Sequence, residues 1–146
     1  RINPRNRLIS QMNDCRKSVV VVGAGPTGLT LANCLGLAGI EVLVVERNAT
    51  TVQEPRAVSI DDESLRTIQA IGLIDNVLPD LVLGYGSHYF SPRGRCFTKV
   101  QPETREFGYP RRSAFRQPLL EAQLRAGLER FANVETWASA ALRSRM

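Results

Sequence analysis

The chain has 146 residues, of which 43% are hydrophobic and 23% are charged, a balance typical of globular domains rather than of disordered or fibrous chains. Basic residues outnumber acidic ones by 19 to 14, but they form no aromatic-rich basic ribbon, so small anionic ligands fit the charge at least as well as nucleic acid and we expect no nucleic-acid partner. Three scattered cysteines and a single histidine exclude a zinc site and a disulfide framework, and the short apolar runs exclude a membrane span. We therefore expect a cytoplasmic protein without a bound metal.

The first predicted element is a strand over Val19–Val22. The residues before it, 1–17, are polar and lack apolar periodicity, which predicts a flexible leader ahead of one domain over residues 18–146. Four consecutive β-branched residues are too few for a helix, and this pattern predicts a strand buried on both faces of a parallel sheet. A helix ending at Gly39 and a second strand over Glu41–Val45 follow. The predicted apolar face of that helix comprises Leu29, Leu31, Ala32, Leu35 and Ala38.

Shorter elements are predicted in the rest of the chain. Residues 47–56 are expected to form a loop, and Ser59–Ala70 a helix with its first residue as N-cap, acidic residues in its first turn and Gly72 beyond its end. Strand-like runs on either side of Ser91–Gly94 predict a hairpin with a type I turn. Pro118 stands where a last helix begins. Its apolar face comprises Leu120, Leu124, Leu128 and Phe131, and an extended segment over residues 133–137 follows.

A glycine-rich turn joins the first strand to the first helix. The residues Gly23-Ala24-Gly25-Pro26-Thr27-Gly28 have the spacing Gly-x-Gly-x-x-Gly, and Glu46 ends the second strand. Gly23 permits the sharp turn, Gly25 lets a diphosphate approach the backbone, and Gly28 lets the helix lie close to the sheet. The helix N-terminus attracts a pyrophosphate, and the Glu46 carboxylate can accept hydrogen bonds from both ribose hydroxyls of an adenosine. This unit therefore predicts dinucleotide binding.

The spacing does not decide which dinucleotide is bound, because NAD and FAD share the adenosine diphosphate half. Three functions remain open at this point: a flavoprotein, an NAD-dependent dehydrogenase domain, and a nucleotide-binding module without turnover. No residue is assigned a catalytic role. The single histidine, His88, stands in a predicted strand, and Arg111-Arg112 is interpreted as a solvated basic surface.

The segment Val20–Arg47, with its glycine fingerprint and Glu46-Arg47 closing the second strand, resembles the FAD-dependent single-component aromatic hydroxylases. Further segments are similar to the branch that hydroxylates 3-(3-hydroxyphenyl)propanoate, namely residues 55–66, 94–97, 107–112 and 117–118. The resemblance covers residues 18–137. It implies an α/β, Rossmann-like FAD-binding fold with a parallel sheet and a β-hairpin insertion.

The resemblance also implies cofactor contacts and a reaction. Gly23, Ala24, Gly25, Pro26, Thr27 and Gly28 would surround the pyrophosphate, Glu46 and its neighbour Arg47 would lie at the adenosine ribose, Arg56 would line the flavin side of the pyrophosphate, and Gln117 would reach the FAD from a helix start. NADH would serve as co-substrate, and a small phenolic acid would be hydroxylated with O2. The oligomeric state stays open.

The family continues beyond the matched segment, so we expect this chain to be an N-terminal portion whose fold is incomplete at its C-terminus. Residues 138–146 do not follow the family, and the chain opens with Arg1 rather than methionine. We therefore expect this portion to be inactive by itself.

Overall fold

The structure, a computed structural model, describes residues 17–51, 56–101 and 103–139, so nearly all of the predicted leader lies outside the described residues. The chain divides into two compact units. In described residues, unit 1 comprises 17–49 and 128–139, and unit 2 comprises 50–127 except for its undescribed positions. The predicted boundaries at 1–17 and 18–146 stay predictions. Within the described ranges, no helix has the length and apolarity that a membrane crossing requires.

The elements alternate between strands and helices in the first part of the chain. The strands are β1 (Val19–Val22), β2 (Val42–Val45), β3 (Ser59–Asp61), β4 (Val82–Leu83), β5 (Ser87–Phe90), β6 (Cys96–Val100), β7 (Arg112–Ala114) and β8 (Val134–Trp137). The helices are α1 (Pro26–Leu37), α2 (Asp62–Ala70), α3 (Ile74–Val77) and α4 (Gln117–Leu128), with a 3₁₀ turn at Leu78–Asp80.

Unit 1 is built on a parallel sheet with the strand order β1-β2-β8. Val19 pairs with Val42 and Val42 with Val134, so the last described strand lies beside the second one. All four residues of β2 are buried, as expected for a central strand of a parallel sheet. The parallel sheet and its crossover helix α1 confirm the predicted α/β class and the predicted strand over residues 133–137.

The prediction that β1 is buried on both faces is wrong. Val21 is 6% exposed, whereas Val20 and Val22 are 51% and 69% exposed. Successive side chains of a strand point to opposite faces, so one face of this edge strand is covered and the other is open in this chain. The prediction for the apolar face of α1 is also wrong in part, because Leu31 is 46% exposed although Leu29 and Ala32 are fully buried.

Helix α1 and the segment before β8 are in close contact within unit 1. A Cβ atom placed on Gly36 would lie 2.6 Å from the Phe131 ring, so only glycine allows this approach without displacing the ring. Asn133 donates hydrogen bonds from Nδ2 to the carbonyl oxygens of Ile40 and Gly36, at 2.7 and 3.3 Å. These contacts hold the end of α1 beside the start of β8.

Unit 2 contains an antiparallel sheet of order β3-β7-β4 and the separate hairpin β5-β6. The Gly94 N–H donates to the Ser91 carbonyl oxygen at 2.9 Å, which confirms the predicted turn. Helix α4 begins at Gln117, with Pro118 as its second residue. Its predicted apolar positions Leu120, Leu124 and Leu128 are buried, whereas the fourth predicted position, Phe131, lies beyond the end of the helix and is half-buried.

The predicted helix over Ser59–Ala70 has its N-cap two residues later than expected, and the helix itself covers Asp62–Ala70. Ser59 is not an N-cap; it lies in β3 and pairs with Ala114 of β7. The N-cap is Asp61, whose Oδ1 accepts a hydrogen bond from the Ser64 N–H at 2.8 Å. The acidic first turn and Gly72, with φ of +73° just beyond the helix, follow the prediction.

Candidate cofactor site

The glycine-rich turn of unit 1 has the backbone that its sequence requires. Gly23 has φ of +101°, a conformation that L-residues with side chains rarely adopt, and its N–H donates to the Val45 carbonyl oxygen at 2.8 Å. A Cβ atom on Gly28 would overlap the Gly23 carbonyl oxygen and approach Val21 Cγ1 to 3.3 Å. Gly23 therefore makes the turn, and Gly28 lets α1 lie against β1.

Gly25 differs from Gly23 in its backbone conformation and from Gly28 in the open space around it. Its φ of −81° and ψ of −177° are ordinary extended values, and a Cβ atom placed there would meet no atom of the described residues within 4 Å. None of the described residues thus requires glycine at this position. An approaching ligand would require it, because even a methyl group would occupy the space in front of the turn.

The N-terminus of α1 suits an anion. Gly25 is the N-cap and forms no side-chain cap hydrogen bond, Pro26 occupies the first turn, and no acidic residue stands there. The first N–H groups of a helix have no partner inside the helix, and its dipole places partial positive charge at this end. A phosphate is the ligand for which such an end is best suited.

Glu46 lies beside this turn and is bonded to it. Its Oε2 accepts the Ala24 N–H at 2.7 Å, and its Oε1 accepts the Asn48 N–H at 2.8 Å. Ala24 is 3% exposed, so the bond to it ties the buried part of the turn to the end of β2. A carboxylate accepts about four hydrogen bonds, so these two do not by themselves prevent it from accepting ribose hydroxyls.

The other predicted contacts separate into two groups. Thr27 and Arg47 are exposed and lie in unit 1 with the turn. Arg56 and Gln117 lie in unit 2, where the Gln117 side chain is bonded to the Arg56 backbone. The structure therefore brings residues 23–28 together with Glu46, and it brings Arg56 together with Gln117.

The residues of unit 1 fit the adenosine diphosphate half of a dinucleotide. A pyrophosphate and a ribose need three features, which are the open space at Gly25, the uncapped N-terminus of α1 and the carboxylate next to the turn.

Sequence reasoning missed one further polar residue, Glu121, which is 4% exposed and bonded to Gln117. The available signal was the spacing of four residues on a helix, which places both side chains on one face.

The sequence is similar to hydroxylases of Escherichia coli. It is 53% identical over 116 residues to the 3-(3-hydroxy-phenyl)propionate/3-hydroxycinnamic acid hydroxylase of Escherichia coli (strain SMS-3-5 / SECEC). It is 52% identical over 116 residues to the protein of the same name from Escherichia coli O157:H7. In both cases the match covers 80% of this chain and 21% of the relative, so the chain spans about a fifth of the relatives' length.

Solved structures agree with this similarity. The p-nitrophenol 4-monooxygenase PnpA from Pseudomonas putida DLL-E4 matches with a TM-score of 0.75 and 28% identity, over 84% of this chain and 32% of that one. Aklavinone-11 hydroxylase, solved with FAD and aklavinone, matches with a TM-score of 0.67 and 26% identity, over 85% of this chain and 25% of that one. The family described as "FAD binding domain" matches residues 16–145, which is almost the whole chain. The glycine turn, the parallel sheet and these matches agree, and the chain therefore belongs to the FAD binding domain family.

Proposed function

We propose that this chain is the FAD-binding portion of a flavoprotein monooxygenase that hydroxylates a phenolic acid such as 3-(3-hydroxyphenyl)propanoate, with NADH and O2 as co-substrates. The observation that carries the binding part of the proposal is the turn at Gly23–Gly28 in front of the uncapped N-terminus of α1. The reaction is supported by the 53% identity to the E. coli hydroxylase. Bound FAD would supply the redox chemistry.

Within this proposal, the residues of unit 1 bind and orient one end of the cofactor. The N-terminus of α1 stabilises the pyrophosphate charge, and Gly25 leaves room for it. Glu46 accepts the ribose hydroxyls and, through the Ala24 N–H, keeps the turn closed against β2. The negative charge of Glu46 would also repel a phosphate on the ribose 2′ position, which FAD does not carry.

In unit 2, Arg56 and Gln117 are proposed to contribute to the flavin side of the pyrophosphate. The exposed Arg56 side chain carries the positive charge that a phosphate requires. The small aromatic substrate and O2 are proposed as partners of the complete enzyme only.

Titration of the purified chain with FAD, NAD, ADP and 2′-phospho-ADP tests the binding proposal. We expect FAD to bind with a shift of its visible absorbance bands, and 2′-phospho-ADP to bind at least about tenfold more weakly than ADP, because Glu46 repels the added phosphate. Binding of NAD in preference to FAD would favour a dehydrogenase domain instead. Binding of neither dinucleotide at millimolar concentration would remove the proposed function.

A further inference from the structure

Two backbone N–H groups of unit 2 share one side-chain acceptor. The N–H groups of Arg56 and Ala57 donate to Gln117 Oε1, at 2.8 and 3.0 Å. Gln117 is 9% exposed, so this acceptor lies almost entirely inside the unit. The bonds join segments that are 60 and 61 residues apart in sequence.

The side chain of Gln117 replaces a strand partner at this place. Strand β3 pairs with β7, and the pairing continues to the bond from the Phe115 N–H to the Val58 carbonyl oxygen at 3.2 Å. Beyond Phe115 the chain enters α4, so a backbone carbonyl no longer faces residues 56 and 57 in the manner of a strand. The Gln117 amide oxygen supplies the acceptor instead.

Glu121 fixes the orientation of that amide. Gln117 Nε2 donates to Glu121 Oε1 at 2.8 Å, one turn along α4, and Glu121 is 4% exposed. With the amide reversed, an NH2 group would face two N–H donors and the amide oxygen would face a carboxylate oxygen. Only one orientation therefore satisfies all three donors.

We propose that Gln117 and Glu121 are positioning residues, which hold the backbone of Arg56 and Ala57 in the conformation that the Arg56 side chain needs for its proposed contact with the cofactor. This inference rests on the proposed FAD binding. It assigns Glu121, which needs no contact with the cofactor, a role in binding through Gln117 and the Arg56 backbone. It also gives the Gln117 carbonyl oxygen a task within the protein, so that this atom is not available to the ligand.

The first test removes the pair's hydrogen bonds with little change in volume. In Gln117→Met without ligand, the backbone N–H groups of Arg56 and Ala57 should lose their protection against hydrogen exchange, because both lose their hydrogen-bond acceptor. FAD should bind about tenfold more weakly or worse, while AMP, which lacks the flavin-side phosphate, should bind as in the wild type. Gln123→Met, on the same helix, is the matched control and should change neither measurement.

The second test exchanges the two functional groups. Gln117→Glu alone places two carboxylates in contact and should weaken FAD binding, whereas Q117E/E121Q restores a donor opposite an acceptor and should regain most of the affinity and the protection of both amides. Such a rescue is not expected if the pair only fills space.

The outcomes separate this inference from the proposed function. Unchanged FAD affinity and unchanged exchange in Gln117→Met would overturn the positioning role, and so would an equal loss of FAD and AMP affinity or the absence of rescue in the double variant. If the wild-type chain bound no FAD while its exchange pattern changed as expected, the hydrogen bonds would stand and the role in cofactor binding would fall together with the proposed function.

Discussion

Gly25 combines an ordinary backbone conformation with open space in front of it. Valine accepts φ of −81° and ψ of −177°, and its Cβ would lie more than 4 Å from every atom in the described part of the chain, so Gly25→Val should fold normally. Its side chain would fill the volume through which a pyrophosphate approaches α1. We expect the variant to lose FAD binding in calorimetric titration.

The control for this substitution lies at the other end of the same helix. Ala38 is exposed at the C-cap of α1, so Ala38→Val should leave the FAD affinity unchanged. Wild-type affinity in Gly25→Val, together with an unchanged circular dichroism spectrum, would show that the phosphate does not bind at this turn.

Glu46 is expected to act on both the ligand and the turn. Charge-assisted hydrogen bonds contribute about 1.5–3 kcal/mol each, so Glu46→Ala should weaken FAD binding about tenfold or more. The variant also removes the acceptor of the Ala24 N–H, which adds to the loss. A 2′-deoxyadenosine analogue of FAD should bind to the wild type more weakly than FAD does. To Glu46→Ala, the analogue and FAD should bind with the same affinity.

Glu41 offers the matched control for Glu46. It carries the same charge near the other end of β2 and forms an ion pair with Lys17 at 3.1 Å, away from the turn. Glu41→Ala should leave FAD affinity unchanged. If wild type and Glu46→Ala responded identically to the 2′-deoxy analogue, Glu46 would have no role at the ribose.

At the scale of single elements, the N-terminus of α2 provides a test by pH. Hydrogen bonds from the Ser64 hydroxyl and backbone N–H lower the pKa of Asp61 below its ordinary value. The ionised cap therefore stabilises the fold above the unfolded-state pKa, and this stabilisation is lost as the pH falls through the lower folded-state pKa. Asp61→Ala should lower the free energy of unfolding by about 1 kcal/mol at pH 7 and by less in acid.

Urea unfolding at pH 7 and near pH 3 measures both effects. Asp61→Asn keeps an acceptor for the Ser64 N–H but does not titrate, so its free energy of unfolding should depend less on pH than that of the wild type. A difference between wild type and Asp61→Ala that stayed constant across this range would mean that ionisation of Asp61 does not contribute to stability.

The elements also show what a single sequence can predict. The β1–turn–α1–β2 unit was predictable because its glycines and apolar residues are local signals that tertiary contacts do not alter. Strand β3 was not, because Ser59–Asp61 becomes a strand only by pairing with β7, a distant segment. The exposure of Val20 and Val22 could not be predicted either, because an apolar run does not reveal which face of the strand is covered.

The candidate site divides in the same way. Glu46 and the glycine turn were predicted from spacing, whereas Arg56 and Gln117 were predicted only from a family resemblance. The bond between the Gln117 amide and the Arg56 backbone could not be predicted, because it depends on where β7 ends and α4 begins.

For the whole molecule, we expect binding without turnover. These 146 residues match 21% of the length of the E. coli hydroxylase, and used by themselves they would leave a bound flavin ring without the shielding from water that the rest of such an enzyme would supply. With FAD and NADH supplied, the chain should at most oxidise NADH with formation of hydrogen peroxide. Oxygen incorporation into a phenol, measured by mass spectrometry in a sample free of full-length enzyme, would show that a complete site is present.

The parallel pairing of β2 with β8 has a consequence for folding kinetics. Val42 pairs with Val134, and the whole of residues 50–127 lies between these strands in sequence. A contact of such long range requires closure of a large loop, which slows folding, and the loop becomes smaller if the intervening residues condense first. On the ribosome, β1 and β2 emerge well before β8, so the described part of the sheet that carries the glycine turn is completed only after residues 50–127 have been synthesised.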